Sequence, residues 1–333
     1  MNTCFAYFVA RLCIQDQDSC TTAIKWICLA LVPLTLLGAV ESSTGWQPYL
    51  TMTRYCPWSP SEMLLNPRSG FFRALGAFGH PIMFGSAFVL FLPLVYNLRH
   101  ETGNWQTLAY LVSVAAIIGA LASMSSGPWV SVIFAIICMA MERFKNWLKL
   151  VLMGFVFSCI FIGIASNRPI YHVIISYANP IGGAGWHRAK LIDLAIEHFG
   201  EWWLIGYGDK DPGWGESLGM GFTDVTNEFV FAGVQYGFLG VIALCGVLAT
   251  AIRQLSRLHN SSTDPRLKSL AWALGSAIVT VIFIFMSVAF FGQMIPLFYS
   301  VLGIIGSSFS FRPGSVELQR HEAFPITAEC VSS

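Results

Sequence analysis

The sequence predicts an all-α, polytopic membrane protein of about eight transmembrane helices with one long extramembrane loop, and three observations carry that prediction. Hydrophobic residues make up 55% of the chain and charged residues only 11%, at a mean hydropathy of +0.62. That is too little charge to cover a water-facing surface. Apolar stretches recur at close to the ~20 residues that cross a bilayer as a helix. The basic residues, finally, are sorted among the short connections rather than scattered.

Residues 1–21 open with an apolar run, Met1 to Ala10, that meets Arg11 too early for a signal peptide and is too short to span, so it reads as a cytoplasmic remnant of a preceding helix. Spans follow at Ile24–Val40, Gly76–Leu98, Thr107–Met124, Pro128–Met141, Trp147–Ser166, Phe229–Ile252, Leu270–Phe290 and Met294–Phe311, within a membrane region over 22–312. The fourth is short enough to be tilted or partly interfacial. Arg99 lies in the second connection, Arg143, Lys145 and Lys149 in the fourth, and Arg253, Arg257, Arg266 and Lys268 in the sixth, whereas Ser125 to Pro128 carries no charge. The positive-inside rule then places both termini in the cytoplasm and the two long segments, 41–75 and 167–228, outside. Residues 313–333 read as a disordered cytoplasmic tail.

Several function classes recede on composition. An ion-coupled transporter places ionisable groups at membrane depth, and the interiors of the predicted spans, away from their ends, hold none but His80. The nine cysteines form no CxxC and no paired Cys/His spacing, so neither a disulfide framework nor a metal site is expected, and no cofactor. No nucleic-acid partner is expected either.

Three segments on the outer side carry chemistry. In Phe71–Gly85, Arg73, Ala77, His80 and Phe84 recur at helical spacing, and Pro81 predicts a kink there. Arg73 is either an anchor snorkelling to head groups or one half of a cation and imidazole site. In Trp186–Gly208, Ile192, Ala195, Phe199 and Trp203 form an apolar stripe of a surface-lying amphipathic helix, with Asp193, Glu197 and Glu201 on another face. Those acids read first as a solvated face and second as paired carboxylates. Arg188 falls on the apolar stripe, where its planar fork suits a phosphate or diphosphate head group or an ordinary ion pair; His187 stands beside it. In Gly219–Gly240, Thr223 or Asp224 is placed to cap the sixth span, Asn227 and Glu228 fall in its first turns, and Thr226, Val230, Gly233 and Gly237 share a face suited to close helix contact.

The ordered set Arg73 to Gly85, Ser123 to Pro128, Arg188 to Gly208 and Asp224 to Gly240, covering the chain from about Val40 onward, resembles the superfamily of O-antigen ligases and O-antigen or exopolysaccharide polymerases. The resemblance implies a metal-independent GT-C-like glycosyltransferase of the bacterial inner membrane. Such an enzyme moves a glycan from undecaprenyl diphosphate to an acceptor hydroxyl, on a lipid A core in lipopolysaccharide ligases or on another carrier-linked chain in polymerases, alongside other polysaccharide assembly proteins. It makes Arg73 and Arg188 the stabilisers of the leaving diphosphate. It also assigns Glu228 and Thr226 to the reacting centre, and His80, His187, Asp224 and Asn227 to the substrates.

Three features depart from that superfamily. Its members carry histidine immediately before the Asn-Glu pair, where this chain has Thr226, whose hydroxyl is no base near neutral pH. They carry arginine in the turn occupied here by Ser126 to Pro128, and they have more helices before the first span. Glu228 is the preferred substitute base, with Asp224, His187 and His80 as alternatives. The competing expectation is a truncated or noncatalytic partner of a polysaccharide assembly or export machine.

Overall fold

Long apolar runs without interior charge leave the backbone one way to satisfy its polar groups in lipid, and the chain takes it. A computed structural model describes residues 2–53, 55, 67–177 and 185–308, and among these every regular element is a helix apart from one isolated bridge between Arg68 and Phe71. In chain order they are α1 (Asn2–Cys13), α2 (Gln17–Thr44), α3 (Pro48–Thr53), α4 (Pro81–Asn97), α5 (Asn104–Ala122), α6 (Ser126–Ala140), α7 (Leu148–Ala165), α8 (Ile170–Tyr177), α9 (Gly185–Glu197), α10 (Phe199–Trp202), α11 (Glu228–Ser261), α12 (Pro265–Phe285) and α13 (Met294–Ser307). The tail 313–333, Cys56 and part of the loop 41–75 lie outside the described residues.

Among the described residues, six helices are long and apolar enough to cross a membrane: Gln17–Thr44, Pro81–His100 with its short 3-10 extension, Asn104–Ala122, Leu148–Ala165, Glu228–Ser261 and Pro265–Phe285. Two further segments expected to span, α6 and α13, are 15 and 14 residues long and fall short of the ~20 a straight crossing needs. α4 is the centre, buried from Met83 to Val95 and packed against α2, α5, α6 and α12. α7 is the opposite case. It is apolar all round and buries no residue, with Ile164 82% exposed, as expected of a helix that lies in lipid. The first residues form α1, which packs on α13.

Four expected element boundaries are corrected. The second span starts at Pro81, not Gly76, because Pro81 occupies the first turn and His80 is the N-cap; residues 72–80 are irregular, so the helical stripe through Arg73, Ala77 and His80 does not exist and Pro81 starts a helix instead of kinking one. The seventh span stops at Phe285 and leaves 286–293 as a connection. The amphipathic helix ends at Glu197, and α10 is a short turn, so the buried face is Leu191, Leu194, Ala195 and Trp202, while Phe199 and Trp203 are exposed. Asn227, and neither Thr223 nor Asp224, caps α11 by accepting from Phe229 N and Val230 N at 3.0 and 3.1 Å.

Glu41, assigned by hydropathy to a loop, belongs to α2 and is 1% exposed. Its Oε2 accepts from the backbone N–H groups of Leu75 and Gly76 at 2.8 and 2.9 Å. With Phe72 N donating to Ser42 O and Ala74 N to Ala122 O, both at 3.0 Å, it fixes the 72–76 segment across the ends of α2 and α5. Glu41→Ala strands both amides, at roughly 1–3 kcal/mol each, so the purified protein should melt several degrees lower while Glu41→Gln stays closer to wild type.

α11 is broken. Gly237, at φ 74 and ψ −175, occupies a region that is essentially glycine's alone. The loop after α10 fills the break: Phe238 N donates to Trp203 O at 2.7 Å, Tyr207 N to Val234 O at 2.6 Å, and Gly208 N to Gln235 O at 3.1 Å. A Cβ at Gly206, also at positive φ, would stand 2.6 Å from the carbonyl carbon of Gln235. The expected small-residue helix contact through Gly233 and Gly237 is therefore replaced by this docking, with Gly233 against the Trp202 indole. The helix turns before the break join a small core of their own, in which Val234 packs with Leu191, Trp202, Trp214 and Leu218.

Candidate functional site

Five separate segments converge on a cavity of about 440 Å³, whose polar border is Arg68, Arg73, His80, Ser125, Ser126, Arg188, Thr223, Asp224 and Thr226 and whose apolar wall includes Phe290. It lies at the Pro81 end of α4; the basic Arg99 stands at the other end of that helix, ~25 Å away at 1.5 Å per residue. Arg68 is delivered by a tight turn in which Arg68 and Phe71 exchange backbone hydrogen bonds across Ser69 and Gly70, both at positive φ. Its Nη1 donates to Met124 O at 3.3 Å. Arg73 follows from the segment that Glu41 anchors, and its Nη2 donates to Ser125 Oγ at 3.0 Å. Arg188 comes from the first turn of α9.

Three guanidiniums thus border one cavity, and among the described residues no carboxylate forms a salt bridge with any of them. The Nε groups of Arg73 and Arg188 are buried without a hydrogen-bond partner. Burial first, then the like charge of Arg68, push the Arg73 pKa down to about 10 and lower that of Arg188. An uncompensated cluster of this kind is costly to hold, and an anion that accepts several N–H bonds offsets that cost.

His80 accepts from Ile82 N through Nδ1 at 3.1 Å. Burial first, then Arg73 and Arg68, push its pKa from 6.5 to about 4, so the cap is made by a neutral imidazole. The contribution to stability is complete above 6.5 and is lost as pH falls through about 4. Thermal unfolding of the detergent-solubilised protein should therefore fall in this acid window, and less steeply in His80→Asn, which caps without titrating.

The remaining expected residues divide. Asp224 and Thr226 border the cavity, and the Thr226 hydroxyl is buried without a partner. Thr223 is held by Asp211, whose Oδ1 accepts from Thr223 Oγ1 at 2.6 Å and whose Oδ2 accepts from its backbone N at 3.0 Å. His187 is 5% exposed with neither ring nitrogen bonded, but it does not border the cavity; burial is the first cause lowering its pKa. Asn227 serves as the cap and donates to Met286 O at 3.3 Å. Glu228, the preferred base, lies outside the arginine cavity and borders a neighbouring apolar groove. Asp193 accepts from Tyr171 Oη, and Glu201 from Tyr207 Oη, both at 2.6 Å, away from the cavity. Arg68 and Ser125 are additions that sequence reasoning missed; the Arg-Ser-Gly-Phe turn was the available signal for the first.

The groove, about 620 Å³, runs between α11, α12 and α13 and shares Phe231 and Phe290 with the arginine cavity. A further cavity of about 580 Å³ continues it through Ala243, Val247, Tyr299 and Leu302. Compared with protein-family models and with curated protein sequences, the chain matches none.

Proposed function

We propose that this membrane protein is a glycosyltransferase of the O-antigen ligase and polymerase kind, moving a glycan from an undecaprenyl diphosphate carrier to an acceptor hydroxyl at the outer face of a bacterial inner membrane. The observation that carries the reading is the arginine cavity, without a salt-bridged carboxylate among the described residues, adjoining an apolar groove across Phe231 and Phe290. A lipid diphosphate has that division of character: a polyanionic head beside a long hydrocarbon. In this reading α6 and α13, tilted or ending short of the bilayer edge, complete eight spans in a GT-C-like bundle, and the basic connections face the cytoplasm with both termini.

The reaction breaks the bond between the sugar anomeric carbon and the diphosphate oxygen and forms one to the acceptor oxygen. Arg68, Arg73 and Arg188 hold the negative charge gathering on the departing diphosphate. Asp224 is the carboxylate inside the cavity and takes the acceptor proton, while Thr226 orients the acceptor through its otherwise unpartnered hydroxyl. The same hydroxyl favours a second reading, a noncatalytic partner in polysaccharide assembly, because no base stands at that position. Reconstitution in nanodiscs with a polyprenyl diphosphate-linked oligosaccharide and acceptor separates the two. Transfer with stoichiometric release of polyprenyl diphosphate, reduced roughly 10²-fold or more in Asp224→Asn, supports the enzyme. Donor binding without transfer supports the partner.

A further inference from the structure

Phe290 stands where the two cavities meet. It is 6% exposed, forms part of the wall of both, and packs edge-to-face on Phe285 at the end of α12 and Phe298 in α13, with ring centroids 4.7 and 5.9 Å away. It belongs to the 286–293 connection, which contains no regular helix to hold it. Side chains do so instead. Glu228 Oε2 accepts from Phe290 N at 2.7 Å, Asn227 Nδ2 donates to Met286 O at 3.3 Å, and Gln293 Nε2 donates to Ala77 O at 2.9 Å.

We infer that Glu228 is a positioning residue, which latches Phe290 as the partition between the polar cavity and the apolar groove, and is not the proton acceptor. Its side chain borders the groove and not the arginine cavity, and its Oε2 is already engaged by the Phe290 amide, whereas Asp224 borders the cavity itself. What the latch needs from residue 228 is one oxygen that accepts an N–H bond. Glutamine supplies that oxygen without charge, whereas alanine does not. Phe290 in turn determines how the ligand enters: a diphosphate bearing a long hydrocarbon must pass the partition edge, and inorganic pyrophosphate need not. This second part rests on the lipid diphosphate reading above.

The test uses the full chain in nanodiscs, with hydrogen exchange at the Phe290 amide and binding of two probes, undecaprenyl diphosphate and inorganic pyrophosphate. Glu228→Gln should keep the amide protected and bind both probes within about threefold of wild type. Glu228→Ala should speed exchange at Phe290 about tenfold, and weaken undecaprenyl diphosphate binding about tenfold while pyrophosphate binding changes less, given roughly 1.4 kcal/mol for a lost bond. Phe290→Ala, which leaves the latch oxygen without altering the cation cluster, should reproduce the selective loss if Glu228→Ala does not fold. Equal damage from glutamine and alanine, or an undisturbed Phe290 amide in the alanine variant, overturns the latch. Failure of wild type to bind either probe overturns the carrier reading instead and leaves the exchange result to judge Glu228.

Discussion

Arg188→Ala is expected to lower glycan transfer by roughly 10²–10³-fold, the scale of removing one preorganised charge stabiliser. Its effect on stability should be the reverse of what a buried residue ordinarily shows. The Arg188 Nε is buried without a partner, and the neighbouring charge that perturbs the group is Arg68, another cation. Deleting the guanidinium therefore removes repulsion and a desolvated charge, and breaks no hydrogen bond of its head group to the described residues. Purified Arg188→Ala should melt at or above the wild-type temperature while its transfer rate collapses. Arg188→Lys keeps the charge and loses the planar fork, so an intermediate rate is expected. A variant that transfers glycan at the wild-type rate would remove the arginine cavity from the reaction. Arg73→Ala should show a comparable loss of rate without the gain in stability, because the Arg73 guanidinium also holds Ser125.

Gly237→Ala is expected to be strongly disruptive, because it combines a backbone clash with a forbidden conformation. The added Cβ would lie 2.5 Å from Leu204 O, and the backbone at φ 74 and ψ −175 is closed to alanine on steric grounds alone. Strain of about 1–3 kcal/mol is the smaller part. If the helix regularises to relieve it, the carbonyls of Val234 and Gln235 turn back into the helix, and Tyr207 N, Gly208 N and Trp203 O lose their partners together. Protease resistance of the loop between α9 and α11 reports this directly. Wild-type resistance in Gly237→Ala would show that the break is dispensable, and the expected result is rapid cleavage of the loop with the remaining helices still inserted.

The membrane class was legible because it depends on summed composition, and the helix positions were legible because apolar length is a local property. What sequence could not supply follows from the same locality. A hydropathy window ends α2 where Glu41 appears, since it assigns a carboxylate to water, but here two backbone amides replace the water. Spacing along one segment placed Arg73 and His80 on a common helical face; they do meet, yet through an irregular segment and an N-cap. Glu228 lies next in sequence to Asn227 and close to Thr226, which suggested a shared site. The first turn of a helix, however, sends neighbours in different directions, and Glu228 points to the groove while Thr226 borders the cavity. Arg68 enters by a turn that the sequence reading passed over, since Arg-Ser-Gly-Phe says that the chain reverses and not what the arginine meets.

The docking at Gly237 also sets where this protein can be cut and rejoined. The turns of α11 ahead of the break share a core with α9 and the loop that follows it, so Val234 is tied to Leu191, Trp202, Trp214 and Leu218 more than to the helix beyond Gly237. A chimera that exchanges this outer segment should take α9, the loop and the first turns of α11 together, with its downstream junction at the glycine. Joined at the point where hydropathy starts the helix, the graft would leave Val234 behind on the recipient and open the donor loop at its own foundation.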